Sequence, residues 1–410
     1  MTASAPAGPH RAPPAPSGGP RHVHHARQTF IYRPSHGPAM RVAMVARAVP
    51  PVDRGGIQTH VLELATALAD RGAEVTAYLF RGAYPEDLPF EVVQVPYVPL
   101  PGLTAAQYVS AAAMSGLLLK DRAFDVAHGH SMYAWGAAMA GARPLVVSCH
   151  GTQRRELQAT LETAFDPNHV ATDLVAVGME RGAARAADRV VAMCQENARD
   201  VRDQYGVPEG AIRAVPNGVR PERFREAHPE GPVVLSVGRL HQRKGLDHLV
   251  RAMPEVVARV PGARLLVAGR GEREGALRRL VGELGLGGSV EFLGFVPDDA
   301  LPALYARASV FAMPSLYEGF GIVMLEAMAS SLPVVAFRTG AAPELVRDGE
   351  TGYLADPSTL GDRLARVLED PPGARAMGRR ARGDVERSYT WGSVAERTIA
   401  VYEEAIAGRP

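Results

Sequence analysis

At 410 residues the chain is too long for one ordinary hydrophobic core, so two domains are expected. Its 45 basic and 44 acidic residues leave a formal net charge of +1, which gives no nucleic-acid footprint. The only cysteines, Cys149 and Cys194, exclude a disulfide framework and fit a reducing, cytoplasmic setting.

Residues 1–38 are rich in Pro, Gly, Ala and His and hold no apolar core for a signal peptide. They read as a disordered, dispensable leader. His22, His24 and His25 fit a His-rich tail better than a metal site. Met40 opens the first strand, so translation can start at Met1 or at Met40.

From Met40 the pattern is strand, loop, helix, repeated. Strands are predicted at 41–46, 74–80, 92–95, 125–129, 144–148, 189–193 and 212–215, with an amphipathic helix over 57–71. The Ala-rich run 104–119 contains Gln107, Ser110 and Ser115 and reads as a buried helix; no segment reads as a membrane span. Pro216-Asn-Gly-Val breaks the pattern. A second series follows at 233–237, 264–268, 290–293, 309–312 and 333–336. Strands alternating with helices predict an α/β fold with parallel sheets. The expected parts are an N-terminal domain over 39–217, a second domain over 218–390, and a last helix from 391 that can pack back on either domain.

The chemistry concentrates in Glu318-Gly-Phe-Gly-Ile-Val-Met-Leu-Glu326. A strand leads into the Gly319-Phe320-Gly321 turn, and the apolar spacing after it predicts a helix. Glu318 then lies in the loop and Glu326 inside the helix. Free N–H groups and the helix dipole between them favour an anion. Two carboxylates flanking a phosphate seat accept hydrogen bonds from hydroxyls on either side. A molecule with hydroxyls, phosphates and then hydroxyls is a nucleotide sugar. The plainer alternative is a pair of solvated carboxylates at a helix end.

Gly238-Arg-Leu-His-Gln-Arg-Lys-Gly245 supplies the missing cations. Arg239 and Lys244 sit where a strand opens into a helix and can neutralise a diphosphate. Of 45 basic residues only Lys120 and Lys244 are lysines, and lysine is the compact point charge suited to phosphate. Gly55 and Gly56 let the backbone approach a phosphate, although a tight turn needs glycine anyway. The loop at Gly294-Phe295-Val296 can pair its backbone with a flat base, or be an ordinary capped turn. His150 ends a strand at the cleft edge and can reach a sugar hydroxyl or the reacting centre, or keep only a structural hydrogen bond. His128 and His130 flank Gly129 at another strand end, where a structural role is the simpler reading. Cys149 reads as core packing. Gly269-Arg-Gly-Glu lacks the full dinucleotide spacing. No nucleophile elbow, zinc spacing or Asp-x-Asp metal motif is present.

Taken together these positions resemble the retaining family 4 glycosyltransferases, which include sucrose-phosphate synthase and glycogen synthase-like enzymes. The resemblance runs from Met40 to near Ala407. It is carried by Glu318 and Glu326, by Gly238, Arg239, Lys244 and Gly245, and by Gly55-Gly56, His150-Gly151 and Pro216 to Val219. It implies the GT-B fold, two facing Rossmann-like domains with a cleft between them. It implies that Arg239 and Lys244 hold the donor diphosphate and that Glu326 binds the nucleotide ribose. Glu318, with the Gly319–Gly321 amides, would bind the donor sugar, and His150 would approach its transferred carbon. The implied reaction keeps the donor's stereochemistry and uses neither metal nor cofactor.

The expected partners are a nucleotide diphosphate sugar, UDP-linked by preference and carrying a hexose or N-acetylhexosamine, and a small polar acceptor. The polar stretch Gly151-Thr-Gln-Arg-Arg-Glu-Leu-Gln suits a cyclitol or aminocyclitol, as in antibiotic biosynthesis; Glu156 and Asp173 can meet an acceptor amine, although solvated surface carboxylates are the simpler reading. Neither integral membrane contact nor nucleic acid is expected. The alternatives are a lipid or polysaccharide transferase at a membrane face, a nucleotide-sugar epimerase, and a non-catalytic nucleotide-sugar binder.

Overall fold

The computed structural model describes residues 39–408 apart from 54, 81, 98–103, 121 and 164–166. The leader, its histidines and the choice between Met1 and Met40 lie outside the described residues. Apolar runs without alternation become strands covered on both faces. The first sheet contains β1 (Arg41–Val45), β2 (Glu74–Phe80), β3 (Glu91–Val95), β4 (Val126–His130), β5 (Leu145–Cys149), β6 (Arg189–Ala192) and β7 (Ile212–Ala214). The second contains β8 (Val233–Val237), β9 (Arg264–Ala268), β10 (Val290–Gly294), β11 (Val310–Met313), β12 (Val334–Phe337) and β13 (Gly352–Ala355).

Every ladder is parallel, in the orders β3-β2-β1-β4-β5-β6-β7 and β10-β9-β8-β11-β12-β13. Strand succession reverses between β1 and β4 and again between β8 and β11. Ligands in such sheets bind beyond the strand ends at these reversals. Both domains are therefore doubly wound and Rossmann-like. The predicted strands differ from the observed ones by at most one residue at an end. The exception is β13, a four-residue edge strand that sequence reading did not anticipate.

The first domain carries α1 (Gly56–Ala69), α2 (Thr104–Lys120), α3 (Trp135–Met139), α4 (Gln153–Thr163), α5 (Pro167–Ala186) and α6 (Gln195–Asp200). The second carries α7 (Leu246–Arg259), α8 (Glu274–Glu283), α9 (Leu301–Ala306), α10 (Ile322–Ala329), α11 (Ala342–Leu345), α12 (Leu360–Glu369) and α13 (Pro371–Ser388). In α7 the three-to-four-residue spacing of Leu246, Leu249, Val250, Met253 and Val256 buries one face. Each such full burial stabilises by about 1.5–3 kcal/mol.

Gly245 enters α7 with φ +63°, and a Cβ there would lie 2.0 Å from the Pro314 carbonyl oxygen. Torsion and close approach both require glycine, and the loops after β8 and β11 are thereby pressed together. The outgoing crossover pairs with the returning one through Val219 N–H to the Tyr389 carbonyl (2.9 Å). The chain then ends in α14 (Trp391–Ala407), which packs on α1, β4 and β5 of the first domain.

Candidate active site

The loop after β8 folds because the His241 ring accepts from Arg243 N–H (3.2 Å), shaping a tight turn over Gln242–Lys244. The Leu316 N–H donates to the Arg243 carbonyl (2.8 Å), joining this turn to the loop after β11. Lys244 Nζ consequently forms an ion pair with Glu318 Oε2, to which Ser315 Oγ also donates at 3.4 Å. Sequence reading gave Lys244 to a diphosphate and Glu318 to a sugar; the structure pairs them with each other. An ammonium has three N–H donors, so Glu318 leaves Lys244 with others to offer. Arg239 is exposed, and its side chain has no hydrogen bond or ion pair among the described residues. It lines one recess with Gly238, Lys244, Ser315 and Val323.

Gly321 opens α10, whose Met324, Leu325, Ala327 and Met328 are buried. Glu326 projects from this helix and accepts from Tyr305 Oη at 2.8 Å. Removal from water pushes its carboxyl up, and the Tyr305 hydrogen bond opposes that rise. The Glu318 and Glu326 carboxylates thus have separate partners, Lys244 and Ser315 for the first and Tyr305 for the second. Phe320 is buried under the turn, Phe295 is 54% exposed, and Val296 packs on the core. Gly55 and Gly56 are exposed at the entry of α1.

Across the cleft, His150 follows β5. Its Nε2 lies 3.1 Å from His130 Nδ1, and the His60 ring meets it edge-on with centroids 4.6 Å apart. His60 Nδ1 bonds Asn217 Oδ1 (2.5 Å). His128 bonds Tyr402 Oη (2.6 Å) and Ser148 Oγ (2.7 Å). Burial pushes His60 down to about 4 and His128 to about 3, and holds His130 and His150 well below the usual histidine value. These imidazoles are neutral. One ring nitrogen from each of His60, His130 and His150 lies within 4.8 Å of the others, so this trio has metal-ligand proximity. Cys149 is fully buried and its thiol is pushed well up, which removes it as a nucleophile.

The two faces touch. A Cβ on Gly319 would lie 2.1 Å from the His150 carbonyl oxygen, so only glycine permits this approach. Arg243 pairs with Glu156 of α4 at 2.6 Å. The Gln195 N–H donates to Glu344 (2.8 Å) and the Gly340 N–H to Glu196 (2.7 Å), a reciprocal exchange between domains. The polar stretch after His150 becomes helix α4, because Arg, Glu, Leu and Gln are strong helix formers. Glu156 serves Arg243, and Asp173 lies on α5. Sequence reading gave no role to His60 or Tyr305, and left Asn217 and Arg243 without a role inside motifs that it quoted. His60 had a usable local signal too, one turn of helix beyond Gly56.

Among the described residues no helix is long and apolar enough to cross a membrane. Residues 54–223 match the family described as Glycosyltransferase Family 4, and residues 219–384 match Glycosyl transferases group 1. The chain is 31% identical to a D-inositol 3-phosphate glycosyltransferase from Acidothermus cellulolyticus, covering 94% of this chain and 95% of that one. It is 33% identical to a GDP-mannose-dependent alpha-(1-6)-phosphatidylinositol monomannoside mannosyltransferase from Mycolicibacterium smegmatis, covering 89% and 98%. Among solved structures it resembles a sucrose-phosphate synthase from Thermosynechococcus elongatus (TM-score 0.74, 24% identity, covering 90% and 100%). It also resembles Anabaena HepE in complex with UDP-glucose (TM-score 0.70, 23% identity, covering 89% and 99%).

Proposed function

The chain belongs to the family 4 glycosyltransferases of GT-B fold, and from that premise we propose that it moves a hexose or N-acetylhexosamine from a UDP-sugar to a hydroxyl of a small polar acceptor, with retention and without a metal. One observation carries the reading. The partnerless Arg239 and the Lys244–Glu318 pair share a recess, and Gly319 beside that pair meets His150 from the other domain.

Breaking a sugar–phosphate bond develops positive charge on the sugar and negative charge on the leaving diphosphate. Arg239, Lys244 and the first amides of α10 stabilise the leaving group through preorganised electrostatics. Glu318 orients the sugar, and Glu326 accepts from the ribose. His150 stands on the sugar's other side, where the closing domains exclude water. The relative acting on inositol 3-phosphate supports a cyclitol acceptor. The solved UDP-glucose complex supports a UDP donor.

A second reading is an anionic lipid acceptor and a GDP-linked donor. The phosphatidylinositol mannosyltransferase relative favours it, as do the exposed Leu161 and Leu174 on neighbouring helices α4 and α5.

A thermal-shift panel of nucleotide sugars tests the donor. A ligand at 100 times its Kd adds about 2.7 kcal/mol, so UDP-sugars should stand out. Product NMR then reads linkage and anomer with cyclitol or lipid acceptors. A stronger response to GDP-mannose, an inverted product, or activity lost to a chelator and restored by Mg²⁺ would each overturn its part.

A further inference from the structure

Three buried histidines, His60, His128 and His130, lie around the partly buried His150, and the proposed transfer chemistry uses only His150 itself. Their hydrogen bonds fix protons. Asn217 Oδ1 only accepts, so His60 carries its proton on Nδ1 and keeps a lone pair on Nε2. Between His130 Nδ1 and His150 Nε2 there is one proton to place. His130 Nε2 is buried with no partner. If His150 were the donor, that nitrogen would bear a buried, unsatisfied N–H. If His130 is the donor, it bears only an unused lone pair, and orphaned buried N–H groups are the rarer defect. His130 therefore donates to His150 Nε2, and the remaining proton of neutral His150 sits on Nδ1. Among the described residues Nδ1 has no partner, yet it is not among the buried unpartnered atoms, so it keeps some exposure.

We propose that His60 and His130 are positioning residues that hold His150 as its Nδ1–H tautomer, presenting that N–H to the donor sugar. The proposal rests on the transferase reading above. His130 sets the proton, and His60 packs edge-on against the His150 ring while Asn217 anchors it. Because Asn217 belongs to the crossover between domains, the orientation of His150 is tied to that crossover. His128, bonded to Tyr402 of α14 and to Ser148, backs His130 with ring centroids 4.4 Å apart.

Long-range proton–nitrogen NMR of histidine-labelled protein, assigned with His150→Ala, reads the tautomer directly; Nδ1–H on His150 is expected. His130→Ala should lower kcat roughly tenfold to a hundredfold through misplacement, with nucleoside diphosphate affinity unchanged. His130→Asn, whose amide can donate to His150 Nε2, should regain much of that loss. Neither change should matter further in a His150→Ala background. An Nε2–H tautomer would overturn the proposal, as would a full His130→Ala penalty in the His150→Ala protein. Zn²⁺ retained through dialysis by wild type and not by His60→Ala would also overturn it, because the imidazoles would then be ligands. Full turnover in His150→Ala strikes the underlying reading instead, and does so whichever tautomer is seen.

Discussion

On the second-domain side of the cleft the working groups are charged and reachable: Arg239 has no partner, and Lys244 shares its ammonium with Glu318. On the first-domain side they are neutral and sealed: His60, His128 and His130 are fully buried behind His150. On the proposed function, the difference follows from what each side would meet. A diphosphate brings charge, and cations left partly in water meet it without having been desolvated twice. A sugar brings hydroxyls, and these are read by fixed neutral dipoles whose protons are placed in advance. One side waits for its ligand's charge; the other is finished before the ligand arrives.

The sharpest way to break this comparison is to remove a cation. Lys244→Ala should lower turnover by roughly a hundredfold to a thousandfold, as expected for a lost donor aimed at developing charge. Nucleoside diphosphate affinity should fall by about 1.5–3 kcal/mol in calorimetry. Arg239→Ala should weaken binding comparably while leaving the melting temperature unchanged, since its exposed side chain has no hydrogen bond or ion pair among the described residues. Wild-type affinity in either variant would remove the diphosphate from this recess.

The contact between the halves is tested at Gly319. A methyl there would collide with the His150 carbonyl, so Gly319→Ala should hold the faces apart. Turnover should fall about a hundredfold through misalignment, with diphosphate affinity little altered. Equal losses in both would place the glycine's role inside the donor domain alone.

Acid should damage the first domain selectively. The folded value of His60 is about 4, against an ordinary 6.5, so its contribution is intact above pH 6.5 and is lost as pH falls toward 4. Each such histidine contributes about 1.4 kcal/mol per pH unit in that window. Urea melts between pH 7 and 4, followed by fluorescence of Trp391 against His60, should show the slope, and His60→Gln should flatten it. A pH-independent midpoint would mean the cluster titrates normally.

The grouping of Arg239, Lys244 and Glu318 was legible in the sequence because these residues are local: Gly238 to Gly245 and Glu318 to Glu326 are each one loop at a strand end. The strands themselves were legible for the same reason, as continuous apolar runs. The histidine network was not. His60, His130, His150 and Asn217 come from four distant segments, and each alone looks like an ordinary buried polar residue. The Arg243–Glu156 contact and the Tyr305–Glu326 bond were hidden likewise, since only packing of α4 and α9 brings those side chains into reach. Edge strand β13 was missed because four residues opening on glycine carry too little pattern.

The smallest expected effect separates the two carboxylates of the donor half. Glu326→Ala should weaken nucleoside diphosphate binding, and Glu318→Ala should chiefly lower turnover, if they face opposite ends of the donor. Tyr305→Phe refines this. The Tyr305 hydroxyl donates to Glu326 and counteracts burial, which pushes that carboxyl up. Without the hydroxyl the carboxyl rises further, and its protonated form no longer offers the ribose a full acceptor. Affinity should drop by about 1 kcal/mol, roughly fivefold, near neutral pH. The loss should widen on acidification and set in at a higher pH than in wild type. Calorimetric titrations of nucleoside diphosphate from pH 5 to 8 read this shift. A uniform loss at every pH would mean that Tyr305 supports α10 by packing, and that the Glu326 carboxylate is not what holds the ribose.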